Sequence, residues 1–222
     1  MTMKNFKPEA LSTERLKLSE AGNPGNPQGE SGEAILERMN ISHYDFTGWA
    51  LEQIKIPASG NIIDLGCGGG LTLKRLSAES ANSKLLGLDF SDVSVAKSSE
   101  TNKDDIASGK MNILKASIDN IPFEDNHFDL VTSFETIYFW SDHIKTLKEI
   151  KRVMKKGSVF LLASEAYDHE GLSQTTRDVL KRKGIFNPSY TEYQNFYDKA
   201  GFSKYQILTQ EGTDWICVLA IK

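Results

Sequence analysis

The chain has 222 residues, enough for one α/β domain with a full core. A formal net charge of −4 argues against a nucleic-acid partner, which needs a basic face. Two cysteines without a C-x-x-C spacing argue against a zinc site or a disulfide framework, and no apolar run reaches membrane-spanning length, so no metal, no stable membrane insertion and a cytoplasmic location are expected.

Residues 1–32 are polar and broken by Gly22-Asn23-Pro24-Gly25-Asn26-Pro27, which predicts a mobile or surface-wrapped segment. Over 33–55, Ile35, Met39, Phe46, Trp49, Leu51 and Ile54 recur among charges and predict two short amphipathic helices. Residues 1–55 are therefore expected to form a tail and a helical lid on a main domain of residues 56–222. Strands are predicted at 61–65, 84–89, 111–115, 129–134 and 158–164. Helices are predicted near 70–80, 91–102 and 141–155, the last capped by Ser141 and carrying Ile144, Leu147, Ile150 and Met154 on one face. Residues 165–190 read as a polar, basic insertion with one helix between Ser173 and Lys183. Thr191 is expected to cap a helix ending at Gly201. Strands at 204–209 and 213–221 follow, and the short link Gln210-Glu211-Gly212 makes them an antiparallel pair. Such alternation builds a doubly wound α/β sheet of seven strands, mostly parallel with an antiparallel last strand, and helices on both faces.

The run Asp64-Leu65-Gly66-Cys67-Gly68-Gly69-Gly70 follows an apolar strand and precedes an amphipathic helix. Glycines at alternate positions let the turn take unusual dihedrals and lie flat against a ligand, whose polar end meets unpaired helix N–H groups. A dinucleotide fingerprint, G-x-G-x-x-G, would need glycine at position 71, which is Leu71. Asp89 ends the next strand, where ligands of open sheets bind, and its carboxylate can accept from both hydroxyls of a ribose; Ser91 is the better helix cap.

The acidic-x-G-x-G-x-G pattern resembles motif I of the class I S-adenosylmethionine-dependent methyltransferases. The resemblance continues through Ser117-Ile118-Asp119-Asn120-Ile121-Pro122-Phe123, which follows the third strand and would meet adenine. It also covers Phe128-Asp129-Leu130-Val131-Thr132-Ser133 and Ala200-Gly201-Phe202 with the closing hairpin. Lys156-Gly157-Ser158 stands where the family has a turn before its fifth strand. The match spans about residues 40 to 222, most similar to the ubiquinone/menaquinone C-methyltransferase group, methyltransferase domain type 11. It implies a Rossmann-like sheet and S-adenosyl-L-methionine as cofactor, held by Asp64, Gly66, Cys67, Gly68, Gly70, Asp89, Phe90, Ser117, Ile118 and Phe134. The implied partner is a small-molecule methyl acceptor, and the protein a monomer or homodimer.

Methyl transfer from a sulfonium needs alignment and exclusion of water more than acid–base help. His43 either faces the methyl group from the lid or serves as a capping or surface histidine. Glu135, Tyr138 and Trp140, on the loop after the fourth strand, are candidates for the acceptor, with His43 and Tyr138 flanking the methyl group from opposite sides. The lid residues Ile35, Met39, Phe46 and Trp49 are expected to pack on that loop. Cys67 fills a small gap, His127 is expected to be solvated, and His169 has no evident partner. Two other readings stand beside the first: a nicotinamide-dependent oxidoreductase, and a non-catalytic protein that binds S-adenosylmethionine.

Overall fold

β-Branched and leucine-rich runs separated by glycine turns produce seven strands in the computed structural model, which describes residues 7–222. They are β1 (Ser59–Leu65), β2 (Asn82–Asp89), β3 (Met111–Lys115), β4 (Phe128–Phe134), β5 (Met154–Ser164), β6 (Lys204–Thr209) and β7 (Ile216–Ile221). They form one sheet in the order β3-β2-β1-β4-β5-β7-β6. β1 to β5 run parallel, and β7 is antiparallel to both neighbours. The order reverses between β1 and β4, so the carboxyl ends of β1, β2 and β4 open onto a crevice there.

The pleat divides the core in two. Ile62 points to one face, where Phe46 and Leu51 of α3 (Tyr44–Glu52) and Leu73 and Leu76 of α4 (Leu71–Glu79) cover it. Its neighbour Ile63 points to the other, under Leu147 and Ile150 of α7 (His143–Val153) and Tyr193 and Tyr197 of α9 (Tyr190–Lys199). The predicted strand–helix alternation thus closes as a doubly wound sheet.

Several boundaries differ from expectation. Residues 7–32 are not a loose wrap: they contain α1 (Thr13–Glu20) and the start of α2 (Gly29–Ser42). Arg15 holds this segment by donating to both carboxylate oxygens of Glu37 at 2.6 and 3.1 Å. The glycines here serve close packing rather than freedom, since a Cβ on Gly22 would lie 2.5 Å from the Ser31 carbonyl oxygen. Asp142 replaces Ser141 as the cap of α7, its carboxylate accepting from the N–H groups of Ile144 and Lys145. Ser189 replaces Thr191 as the cap of α9 in a reciprocal capping box with Glu192. The Lys156-Gly157-Ser158 turn lies inside β5, where Gly157 at φ 82° accommodates an irregularity in the pairing with β4. The insertion carries its one helix, α8 (Gln174–Arg182), as expected.

A buried arginine ties the lid to the sheet domain. Arg75 of α4 is 4% exposed. Its guanidinium donates to the Tyr44 carbonyl at 2.6 Å and to the Thr47 hydroxyl at 2.8 Å, and stacks over the Tyr44 ring at 4.4 Å. Replacing it with alanine removes the charged donor from both acceptors, leaves the Tyr44 carbonyl only its longer bond from the Thr47 hydroxyl, and opens a void beneath α3. We expect Arg75→Ala to cost about 3 kcal/mol. Denaturant unfolding checks this; a loss below about 1 kcal/mol would show that α3 is held by its apolar contacts alone.

Candidate active site

The glycine loop is clipped to the end of β2. The N–H groups of Gly66 and Cys67 both donate to the Leu88 carbonyl, at 2.7 and 3.1 Å. Gly66, Gly68 and Gly70 all have positive φ, at 71°, 50° and 79°. Their open sides face different things. A Cβ on Gly66 would strike the Thr136 methyl at 2.4 Å, and one on Gly70 would strike the Ser98 hydroxyl at 2.5 Å. A Cβ on Gly68 meets only the tip of Leu36, at 3.6 Å. Gly68 is therefore the loop glycine whose bare face borders space, while Gly70 packs α4 against α5 (Asp92–Thr101).

That space is a cavity running from Gly66 and Gly68 past Asp89 and Phe90 to Ser117, Ile118 and Asp119. Phe134, Glu135 and Trp140 wall it on the β4 side, and Pro24, Gly25, Leu36 and Met39 of the N-terminal segment roof it. Asp64 and Cys67 lie behind the loop on a smaller pocket, and Gly70 borders neither. Asp89 was expected to be free for a ligand. Instead its two oxygens already accept from the N–H groups of Gly68 and Ser91, at 3.0 and 2.9 Å, so it also braces the loop. The carboxylate still borders the cavity. Asp64 is almost wholly buried; burial pushes its carboxyl up to about 7 although the Thr132 hydroxyl donates to it at 2.7 Å. Burial likewise pushes the Cys67 thiol well above its ordinary range, which makes it a filler and a poor nucleophile.

A second cavity of about 480 Å³ adjoins the first, sharing Pro24, Met39, Glu135 and Phe139 as wall. His43, Tyr138 and Glu165 line it. Glu135, the first residue past β4, sits at φ 57°, an unusual conformation for a residue with a Cβ. Its Oε1 accepts from the Glu165 N–H and lies 3.2 Å from the Tyr138 hydroxyl. His43 Nε2 is 3.5 Å from Glu165 Oε2. Donor atoms of His43, Glu135 and Glu165 lie within 4.8 Å of one another, close enough to grip a cation, although no metal site was expected. Burial, and then the Glu165 charge, push the Glu135 carboxyl up to about 8. Burial pushes Glu165 up to about 7 and holds His43 down at about 4. At neutral pH the histidine is a neutral base and Glu135 mostly a neutral acid. The Tyr138 hydroxyl, raised by burial beside Glu135, stays protonated.

The sequence placed some of these groups and missed others. His43, Glu135 and Tyr138 do meet. Trp140 does not join them: it is 6% exposed and borders the first cavity, with its indole N–H buried and unpaired among the described residues. Phe46 and Trp49 pack on Trp215, at 5.6 and 5.9 Å, rather than on the Tyr138 loop, because α3 docks on the opposite face of the sheet. His169 has a partner after all, with its Nε2 2.8 Å from Asp214 Oδ1, and His127 is half-buried against Phe123 and Phe128. Glu165 and Asp119 were missed; the only signal was their position just past strands β5 and β3.

The shifts make stability depend on pH. Glu135, Glu165 and Asp64 hold protons above their ordinary carboxyl range, so the folded state binds more protons and stability falls as pH rises toward about 8. His43 acts oppositely, but only below its ordinary value of 6.5. Between pH 6.5 and 8 the fall is unopposed by it. Glu135→Gln is expected to flatten the fall and to raise the thermal midpoint at pH 8. An unchanged slope in scanning calorimetry would assign the fall to Asp64 and Glu165.

Residues 63–162 match the family model for a methyltransferase domain. The UbiE ubiquinone/menaquinone biosynthesis C-methyltransferase of Geobacter sp. is 30% identical over 51% of this chain and 49% of its own. The 2-methyl-6-phytyl-1,4-hydroquinone methyltransferase 1 of Oryza sativa is 26% identical over 76% of this chain and 50% of its own. The chain thus spans about half the length of these curated relatives. Among solved structures, a chain from the complex of the Haloferax volcanii Trm112 methyltransferase activator with a methyltransferase superposes with a TM-score of 0.72 at 21% identity, covering 85% of this chain and 93% of that one. Loop spacing, strand order with its reversed β7 and the matched domain agree: residues 63–162 are a methyltransferase domain, and the chain has the fold of the class I S-adenosylmethionine-dependent methyltransferases.

Proposed function

We propose that the protein moves a methyl group from S-adenosyl-L-methionine to a small-molecule acceptor seated in the second cavity. The carrying observation is that two cavities of different character meet at Glu135. The first is long and largely apolar, with the cradle at Gly68 that a Cβ would fill and the Asp89 carboxylate midway along it. These features fit S-adenosylmethionine, which supplies a methyl carbon on a positively charged sulfur. Gly66, Gly68 and Phe134 would hold its amino-acid end, Asp89 its ribose, and Phe90, Ser117 and Ile118 its adenine. Asp64, Cys67 and Gly70 would serve it indirectly, by shaping the loop.

The chain's own groups then have separate tasks. Of the expected lid over residues 1–55, residues 1–6 lie outside the described residues; the rest acts as the cover, with Leu36 and Met39 roofing the cofactor cavity and keeping water from it. The Tyr138 hydroxyl orients Glu135, and His43 and Glu165, 3.5 Å apart, form the site that takes up a proton where the acceptor arrives with one. We read the protein as a cytoplasmic monomer or homodimer; both cysteines are free and buried, and no helix among the described residues is long and apolar enough to cross a membrane.

Calorimetry with S-adenosylmethionine, S-adenosylhomocysteine and NAD tests the reading. The first two are expected to bind and NAD not. NAD binding without the others would return the oxidoreductase reading. Cofactor binding with no turnover across a broad acceptor panel would favour the non-catalytic one.

A further inference from the structure

We propose that the acceptor is a small zwitterion, with its ammonium between Glu135 and Glu165 and its anionic group on Arg38. This rests on the second cavity being the acceptor site. Arg38, Glu135 and Glu165 all line that cavity. Among the described residues, Arg38 has no carboxylate within ion-pair reach and Glu135 has no cation. Glu165 faces only His43, at 3.5 Å. The remaining acid of the cavity, Asp214, is matched by His169. The cavity therefore holds one guanidinium and two carboxyl groups with no ion pair between them. Glu135 rests mostly protonated in the free protein, and an ammonium beside it favours its ionised form.

Charge decides between classes of ligand. Partly buried charges without partners are costly, and the cheapest remedy is a ligand carrying the complementary set. A simple anion would satisfy Arg38 but meet both glutamates. A simple amine would satisfy the glutamates and leave Arg38. A neutral acceptor serves neither end. A molecule with an ammonium and an anionic group a few bonds apart serves both, and Leu180, Ile185 and Trp215 leave an apolar wall for its body. Such an acceptor also has a route for its proton. The ammonium gives a proton to the Glu165 carboxylate, the freed nitrogen lone pair forms the N–C bond, and the pair of the broken C–S bond stays on sulfur.

Calorimetry on protein saturated with S-adenosylhomocysteine tests this with two matched sets. One is L-leucine, 3-methylbutylamine and 4-methylpentanoate; the other is L-phenylalanine, 2-phenylethylamine and 3-phenylpropanoate. In at least one set the zwitterion should bind roughly tenfold or more tighter than either singly charged analogue. Arg38→Gln should erase its advantage over the amine, and Glu165→Gln its advantage over the acid. Equal binding within both sets, no zwitterion binding in either, or an advantage that survives Arg38→Gln overturns the proposal. So does tight Mn²⁺ binding, seen by electron paramagnetic resonance and lost in Glu165→Gln, which would make the same cluster a metal site. Failure of S-adenosylhomocysteine to bind is a separate result and strikes the proposed function instead.

Discussion

Gly68→Val is expected to abolish cofactor binding while leaving a folded protein. The argument turns on where the missing side chain would go. At Gly68 a Cβ meets nothing closer than the tip of Leu36, at 3.6 Å, and both residues line the first cavity. The new side chain therefore takes space a ligand would occupy rather than space the protein fills. Its φ of 50° adds strain of roughly 1–2 kcal/mol for a residue with a Cβ. That strain lowers the thermal midpoint without unfolding a domain of this size. Binding should fall by about a hundredfold or more, close to 3 kcal/mol. The neighbouring glycines serve as contrasts. Gly66→Val drives into Thr136 and Gly70→Val into Ser98 and Asn102, so both should lose the fold and the ligand together. Calorimetric titration with S-adenosylhomocysteine, beside a melting curve, separates the two outcomes. A folded Gly68→Val that binds normally would mean that the loop's bare face borders nothing the ligand needs.

The sheet was legible because its signals are local. Each strand is a short apolar run closed by a turn, and the reversed β7 follows from a link too short to cross the sheet. Boundaries slipped where two plausible residues stood close together. Asp142 and Ser141 can both cap a helix, and only the tertiary contact of Ser141 with Asp119 decides between them. The N-terminal segment was misread because glycine and proline look alike whether they loosen a chain or let two elements touch. Gly22 and Gly32 are of the second kind, and only the packed structure reveals it.

The first cavity was legible from its glycine loop outward, since Asp89, Phe90, Ser117, Ile118 and Phe134 line it with Gly66 and Gly68; the second was legible only in part. A loop that wraps a common cofactor has a spacing fixed by that cofactor's shape. The acceptor side has no such constraint. Glu135 was visible as the residue after β4, but its partner Glu165 comes 30 residues later and is joined to it only by the pairing of β4 with β5. Trp140 was grouped with Tyr138 because they are near in sequence, yet the short helical turn at Ile137–Phe139 sends them to different cavities.

Asp89→Ala should show a larger effect than a lost ligand contact alone. Its carboxylate accepts the Gly68 N–H at 3.0 Å and the Ser91 N–H at 2.9 Å, so it fixes both the loop and the start of α5. A hydrogen bond to a charged group contributes about 1.5–3 kcal/mol. Removal therefore leaves two backbone donors unpaired and frees the one glycine whose position shapes the cradle. Affinity for S-adenosylhomocysteine should drop by more than tenfold, and the thermal midpoint of the ligand-free protein should drop as well. Asp89→Asn tests the division of labour. An amide can accept from only one of the two N–H groups and turns its own NH₂ toward the other, so it keeps the volume and loses half the brace. If the brace matters, the asparagine variant falls between wild type and alanine in both stability and affinity. If Asp89 acts on the ligand alone, the ligand-free melting curves of all three proteins coincide while the affinities separate. Coincident affinities in folded variants would remove Asp89 from the site.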